Sequence, residues 1–307
     1  AGIEGKWLDT KGYFISDSIA ASDKLDLQLV ARSDESFESD SETSWSMAAK
    51  YQVTDRLDIG AGVSRTVRFP NVQELYRGSR VFGNENLKPE KADNKEFRLG
   101  YQVNDDWQLA VTRFDSDIEN KISQITSVAG GVIAGVGTLK ANDAYYINID
   151  EASHAGWEVS ANGKINRNFD AWLAYTRLDQ AEDETRNLRL VAKPEYKFTG
   201  GTMYHHGKLS AMLSCEHQGA TKATQTIDSA GKATNYDRVD SSTTFNLGLR
   251  HRFTDRFSMY LDIDNIADKD DIVLVQSSDI KNKAGLLMDP IYYRSGRRFT
   301  FGAEMKF

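Results

Sequence analysis

The last ten residues, Arg298-Phe299-Thr300-Phe301-Gly302-Ala303-Glu304-Met305-Lys306-Phe307, put every apolar side chain on one parity. Phe299, Phe301, Ala303, Met305 and Phe307 share a face, and Arg298, Thr300, Gly302, Glu304 and Lys306 share the other. A period of two is the signature of a β-strand with one apolar and one polar side. Working back along the chain, the pattern recurs. Phe257, Met259, Leu261 and Ile263 alternate with Ser258, Tyr260, Asp262 and Asp264, and Phe245, Leu247 and Leu249 alternate with Asn246, Gly248 and Arg250. Trp45, Met47, Ala49, Tyr51 and Val53 form another apolar set, as do Leu57, Ile59, Ala61 and Val63. Leu25/Leu27/Leu29, Phe97/Leu99/Tyr101/Val103, Trp107/Leu109/Val111 and Leu209/Ala211/Leu213 continue it. The periodicity predicts about thirteen strands and an all-β chain.

The connections alternate in length. Short, turn-prone segments occur at Ser22-Asp23-Lys24, Thr54-Asp55-Arg56, Asn104-Asp105-Asp106, Asn166-Arg167-Asn168, His206-Gly207 and Thr254-Asp255-Arg256. Between them lie longer segments, about 33–42, 69–93, 119–145, 181–194, 219–240 and 267–296. Short turns at one end and long loops at the other are the habit of outer-membrane barrels, whose periplasmic turns are short and extracellular loops long. A soluble sandwich has no reason to keep that parity. Aromatic residues near the strand ends (Trp45, Tyr51, Trp107, Trp157, Phe253, Phe257, Phe307) fit interfacial girdles.

Composition agrees once this is seen. The chain has 307 residues, a formal net charge of -7 and 27% charged residues. Its longest apolar patches, Gly131–Gly137 and Ile272–Val275, fall far short of a spanning helix. Alternating strands keep mean hydropathy near that of a soluble protein, so only periodicity reveals such a barrel. One cysteine, Cys215, excludes an internal disulfide framework and a cysteine-rich metal site. The acidic balance, with no dominant basic stripe, excludes nucleic acid as a partner. The N-terminus, Ala1-Gly2-Ile3-Glu4-Gly5-Lys6, has neither the basic nor the apolar region of a secretory signal, as expected of a mature or truncated start.

Four segments resemble the TonB-dependent outer-membrane receptor family. Tyr13–Arg32 looks like its strand-turn-strand element, and Val67-Arg68-Phe69-Pro70 with Glu74-Leu75-Tyr76 looks like its Phe-Arg-x-Pro…Glu-Leu-Tyr. Gly83–Glu90 is similar to its Gly-Asn-Pro-x-Leu-Lys-Pro-Glu. Leu261–Asp268 and Ser295–Phe307 resemble its Asn-Leu-x-Asp and terminal Gly-Arg-x-Phe…Phe. Val67 stands where the family has Phe, and Glu85 where it has Pro. The resemblance implies a 22-stranded barrel filled by an N-terminal plug, an architecture known for outer-membrane transporters. The whole of 1–307 is then barrel domain, about its last thirteen strands, with the plug and first strands preceding residue 1. An odd strand count leaves bare edges, so the chain is expected to be part of a longer receptor.

The function so implied is active import across the bacterial outer membrane, most simply of a ferric siderophore. The family relation implies TonB–ExbB–ExbD as partners through the plug, with outer-membrane lipid and lipopolysaccharide around the wall. It also implies the barrel-assembly machinery, acting on the strand that ends at Phe307, and a monomeric state. No cofactor or protein-held metal is expected; iron would arrive already chelated. The candidate ligand residues are Arg65, Arg68, Tyr76, Arg77 and Arg80, with Tyr145 and Tyr292 at other loop–strand junctions. Cations and aromatic faces suit an anionic, aromatic chelate. Against this, the arginines could balance lumen carboxylates or meet lipopolysaccharide phosphates, and the tyrosines could anchor a girdle. Glu74, Lys88, Glu90, Pro70 and Pro89 are expected to shape the loop.

Haem is disfavoured because Pro70–Leu87 contains no histidine, and His205-His206 abut a short turn. Cobalamin, nickel chelates and oligosaccharides stay open as cargo. The main rival is a general or substrate-specific porin, a passive channel with an even strand count. A barrel enzyme is the rival from another class; it needs a histidine paired with a nucleophile, and His251 lies in a strand with no such signature.

Overall fold

The computed structural model describes residues 5–36, 39–79, 81–127, 129–141, 143–184, 188–190, 193–222, 226–227, 233–235, 238–275 and 291–306. Thirteen long strands follow one another in a single antiparallel path, each paired to its sequence neighbours. They are β1 (Thr10–Ser22), β2 (Leu25–Ser36), β3 (Ser39–Thr54), β4 (Leu57–Arg68), β5 (Glu90–Gln102), β6 (Trp107–Thr126) and β7 (Ala144–Asn166). β8 (Phe169–Asp183), β9 (Tyr196–His206), β10 (Leu209–Gln218), β11 (Ser242–Arg252), β12 (Phe257–Asp264) and β13 (Arg298–Met305) complete it. Among the described residues β1 and β13 are each paired on one side only.

Register carries the alternation across the whole sheet. Leu27, Ala49, Ala61, Phe97 and Arg113 stand in one lateral row on β2 to β6. Cys215, Phe245, Leu213, Leu247, Ile263 and Phe299 share that face at the other end of the sheet. These side chains are open rather than packed. Phe301 is 67% exposed, Phe97 and Met47 are 51% exposed, and none of the large side chains among the described residues is fully buried. A sandwich would hide this face against a second sheet. Among the described residues nothing covers it, and an apolar face of this extent is suited to lipid.

Aromatic rings bracket the apolar band. Tyr196 stacks on His217 and is tilted against Tyr175 at one level (centroids 5.6 and 6.2 Å apart). Phe169, Tyr204 and His206 make a second group on the same strands, and His251, Phe253 and Phe257 extend it. Tyr196 and Tyr204 are eight residues apart, about 26 Å along the strand and somewhat less once tilt is included. That matches the apolar height of an outer membrane.

The turns at the Phe169–Tyr204 end are short, as the sequence predicts. Thr54 and Thr254 fold identical Thr-Asp-Arg turns, each Oγ1 accepting from the two backbone N–H groups that follow (3.3 and 3.1 Å; 3.2 and 3.0 Å). Asn104 Oδ1 accepts from Asp106 and Trp107 N–H in the same manner (2.9 and 2.8 Å). Gly207 takes a φ of +58°, a left-handed turn that glycine enters without strain.

The opposite end departs from expectation in several places, and β6 runs on through Thr126 where a connection was expected from 119. The acidic stretch 33–42, expected as a long loop, is mostly strand: Asp34 pairs with Glu42 and Ser36 with Ser39. Only residues 37 and 38 separate β2 from β3, and they lie outside the described residues. Ladder bonds join backbone groups whatever the side chains, so polar strands continue above the apolar band; Arg32 and Asp34 pair along one such strand (2.6 Å). The other long connections remain long. That between β4 and β5 also holds a one-turn helix, α1 (Val72–Tyr76), absent from the strand-only expectation.

Candidate functional site

The site is built where the 69–89 and 127–143 loops meet the ends of β4 to β7. Local chemistry starts α1. Asn71 Oδ1 accepts from Gln73 and Glu74 N–H (2.9 and 3.0 Å), and Glu74 Oε2 accepts from Asn71 N–H (2.9 Å). This reciprocal cap satisfies backbone donors that a one-turn helix would otherwise leave bare. Asn71-x-x-Glu74 was the unread signal for α1 in the sequence.

Arg68, at the end of β4, binds both sides of the loop. Its Nε donates to Glu90 Oε2 (2.7 Å) and its Nη1 to Glu74 Oε2 (2.9 Å). Glu90 Oε1 also accepts from Ile122 N–H (2.6 Å). The cluster lies at the loop end of β4, next to Val67 and beyond Arg65 and Asp93, where charged side chains interrupt the apolar row of the Trp45 face. Burial pushes the Glu90 carboxyl up, but the Arg68 and Ile122 hydrogen bonds and the charges of Arg68 and Lys121 hold it below the ordinary carboxylate range.

A second set of contacts ties the loops together. Asn148, on β7, accepts from Lys88 N–H (2.8 Å) and donates to the carbonyls of Lys88 (3.0 Å) and Asn120 (2.6 Å). Asn84 Nδ2 donates to Tyr146 O (3.0 Å), Asn84 N–H to Glu74 O (2.8 Å) and Glu85 N–H to Gly135 O (2.9 Å). Val81 and Phe82 add a short parallel pairing to Ala144 and Tyr145. Beneath these bonds, Leu75, Leu87 and Ile122 form a buried apolar cluster joined by Leu8, Tyr76 and Tyr146. Gly83 lies against the Leu75–Tyr76 backbone, where any Cβ would collide.

The candidates therefore part company. Arg68 and Tyr76 belong to this assembly, Tyr76 with Lys6 Nζ 4.1 Å above its ring. Arg77 ends α1, its N–H donating to Gln73 O and its carbonyl accepting from Gly83 N–H. Tyr145 is half-buried on β7 beside Phe82 and Ile125. Arg65 shares the parity of Val63 and stands on the Trp45 face, where Asp93 takes its Nε (2.7 Å) and Nη2. Arg80 and Phe307 lie outside the described residues, and Tyr292 is described only as backbone in the short strand Ile291–Tyr293. Residues missed from the sequence are Asn71, Asn84 and Asn148, whose roles arise from partners up to 62 positions away. No cluster of metal-ligating side chains occurs among the described residues.

Polar inner face, lipid-exposed outer face, short turns at one end and packed loops at the other define a segment of outer-membrane β-barrel wall. The family model "TonB dependent receptor-like, beta-barrel" matches residues 6–266, and the chain belongs to that family. It is 24% identical over 305 residues to the iron-regulated outer membrane virulence protein of Vibrio cholerae serotype O1, covering 96% of this chain and 44% of that protein. It is 25% identical over 240 residues to the vitamin B12 transporter BtuB of Photobacterium profundum, covering 78% of this chain and 36% of the relative. The G324V mutant of the ferric enterobactin receptor PfeA from Pseudomonas aeruginosa superposes with a TM-score of 0.79 at 21% identity, covering 98% of this chain and 45% of that one. The chain thus spans under half the length of these relatives. The family is one of transport receptors of the outer membrane, which is where this chain is placed.

Proposed function

We propose that residues 1–307 form the C-terminal part of the barrel wall and about six outer connections of a receptor that imports a ferric siderophore through TonB. The observation that carries this is the pre-packed unit of the 69–89 and 127–143 loops, held above a polar inner face by Arg68, Asn84 and Asn148. A receptor that captures scarce cargo gains affinity from a surface already in place. The V. cholerae relative named for iron regulation and the fold shared with a ferric enterobactin receptor support iron over other cargo. Cobalamin is the second reading, supported by the BtuB relative.

In this reading a plug precedes residue 1 and carries the contact to TonB, which ExbB and ExbD energise. The barrel-assembly machinery inserts the wall, lipopolysaccharide surrounds its outer leaflet, and the receptor works as a monomer. In this reading the wall has no catalytic role, and the ring of His251 lies edge-on to Phe253 (4.5 Å) on the apolar side of the sheet. Among the described residues Arg77 and Tyr145 are the ligand contacts, and Arg68 and Tyr76 set the field and shape of the mouth. Iron starvation should induce the full-length protein, and its deletion should abolish growth on one ferric siderophore. Unchanged expression together with unchanged uptake of siderophores, and loss of cobalamin uptake instead, would replace the reading.

A further inference from the structure

We infer that Asp17, on the free edge of the wall, is one half of an ion pair within the membrane. Its other half is a lysine or arginine on the lipid-facing side of the barrel strand that precedes β1, and the pair fixes the register of that seam. The inference rests on the wall continuing past β1 into a closed barrel, and not on the cargo.

Register fixes the face on which the carboxylate stands. Asp17 pairs with Leu29, Leu29 with Met47 and Met47 with Val63, so Asp17 belongs to the apolar side of the sheet. Along β1 the same face carries Tyr13, Ile15 and Ile19, which are 77%, 72% and 38% exposed. On β2 it carries Leu27, Leu29 and Ala31. From Ser22, at the short turn, Asp17 is about 16 Å up the strand, or about 12 Å of depth once tilt is included. That is near the middle of an apolar band about 25 Å tall. The carboxylate is thus set among apolar side chains along its own strand and toward β2. It has no hydrogen bond or ion pair among the described residues. Lys11, the next cation on this face of β1, is about 20 Å farther along.

Elsewhere the outer face pairs its charges across strands. Arg65 on β4 donates to Asp93 on β5 (2.7 Å), Lys95 on β5 lies 3.6 Å from Asp117 on β6, and Arg113 on β6 donates to Asp179 on β8 (2.7 Å). Asp17 can follow that rule only across its other side, where β1 pairs with no described strand. A neighbouring strand there would place side chains about 4.5–5.5 Å away directly opposite and about 7–8 Å away on the diagonal, both within reach of a long basic residue. A neutral donor does not suffice, because an ionised carboxylate taken out of water needs a counterion to offset its desolvation. A second copy of the chain fits less well: a two-fold contact centred here would bring two Asp17 carboxylates together.

The test uses the full-length receptor and the residue that faces Asp17 on the preceding strand, which should be lysine or arginine. In urea-dependent folding into vesicles, Asp17→Leu should lower the folding equilibrium constant about ten- to a hundredfold, and so should leucine in place of the cation. The two changes together should recover most of the loss, since neither charge is then left alone. An apolar residue facing Asp17 would overturn the inference. So would a gain in stability for Asp17→Leu, the result for a lone carboxylate relieved of its lipid surroundings, or simple additivity of the two losses. Should the single variants not insert, Asp17→Cys combined with a cysteine at the cation, in a Cys215→Ser background, removes both charges and reads their proximity. A disulfide within one chain is expected; its absence, or a cross-linked dimer, would refute the pairing. A full-length protein with no barrel strand before residue 1 would sink the reading of the wall itself, a failure distinct from these.

Discussion

Replacing Asn148 by alanine removes three hydrogen bonds at one stroke: from Lys88 N–H, to Lys88 O and to Asn120 O. Each is worth a net ~0.5–1.5 kcal/mol in a folded protein. The two Lys88 groups are at an exposed residue and regain water when freed, whereas the Asn120 carbonyl is partly covered. The loss should therefore be about 1.5–3 kcal/mol, below the simple sum of three strong bonds. Because Asn148 joins the 69–89 loop to β7 and leaves the β6–β7 ladder alone, this energy should be lost from local loop opening and not from global unfolding. Amide hydrogen exchange on the full-length receptor reads it directly. Lys88 and its neighbours should exchange about 10- to 100-fold faster, since 1.4 kcal/mol is a factor of ten. Amides of β5 and β6 within the apolar band should be unchanged. Asn148→Asp keeps the acceptor for Lys88 N–H but sets a carboxylate oxygen against the Lys88 and Asn120 carbonyls, so it should accelerate exchange at least as much as alanine. Less than about threefold acceleration at Lys88 in the alanine variant, or acceleration spread evenly through β5 to β7, would refute the reasoning.

Other expectations follow the same contacts. Arg68→Met should loosen the Glu74–Arg68–Glu90 bridge and expose the 69–89 loop to protease, at a cost of about 1 kcal/mol after allowing for the exposure of the arginine. Glu90 is depressed in the folded state, so its contribution is present above the ordinary carboxylate range and lost as pH falls through its lower folded value. Exchange at Ile122 N–H, its partner, should accelerate in that acid window after correction for intrinsic rates, and a flat profile would count against the pairing. Leu249→Arg places a charge on the apolar face between Ala211 and Leu261, and should cost about 2–4 kcal/mol in urea-dependent folding into vesicles. Thr54→Val and Thr254→Val remove equivalent turn acceptors and should each cost about 1 kcal/mol in that assay, alike to within error.

How far the sequence reaches is clear from individual residues. Phe299, Phe301 and Met305 announced their strand and face because alternation is local, and register then carried the same parity across all thirteen strands. The Thr-Asp-Arg turns were readable for the same reason. Arg65 and Arg68 were grouped because they are close in sequence, yet an odd separation in a strand puts them on opposite faces. Counting parity from Val63 would have separated them. Asn84 and Asn148 could not be found this way: their partners lie on other segments, and a lone asparagine carries no sign of which carbonyl it will meet. The 33–42 segment failed for another reason. Its polarity was read as loop, but above a membrane polar residues can occupy both faces of a strand, so the alternation that identifies strands is lost there.

The distribution of apolar residues also explains why the loops are so well packed. In a soluble protein the strands' apolar face makes the core and loops are held by it. Here that face is committed to lipid, so Leu27, Phe97 or Phe301 cannot stabilise anything above the band. The 69–89 loop needs a core of its own, and Leu75 and Leu87 make it with Ile122, sealed by Leu8, Tyr76 and Tyr146. Ile122 belongs to β6, and Tyr146 and Asn148 to β7, so the small core is anchored on strands that project beyond the membrane. The long extensions of β6 and β7 are then more than spacers: they carry the apolar and amide groups against which the mouth is folded. Shortening them by a few residue pairs while keeping the loop sequences should release the loops without harming the barrel, because that small core draws on the extensions of β6 and β7 and not on the apolar row within the membrane.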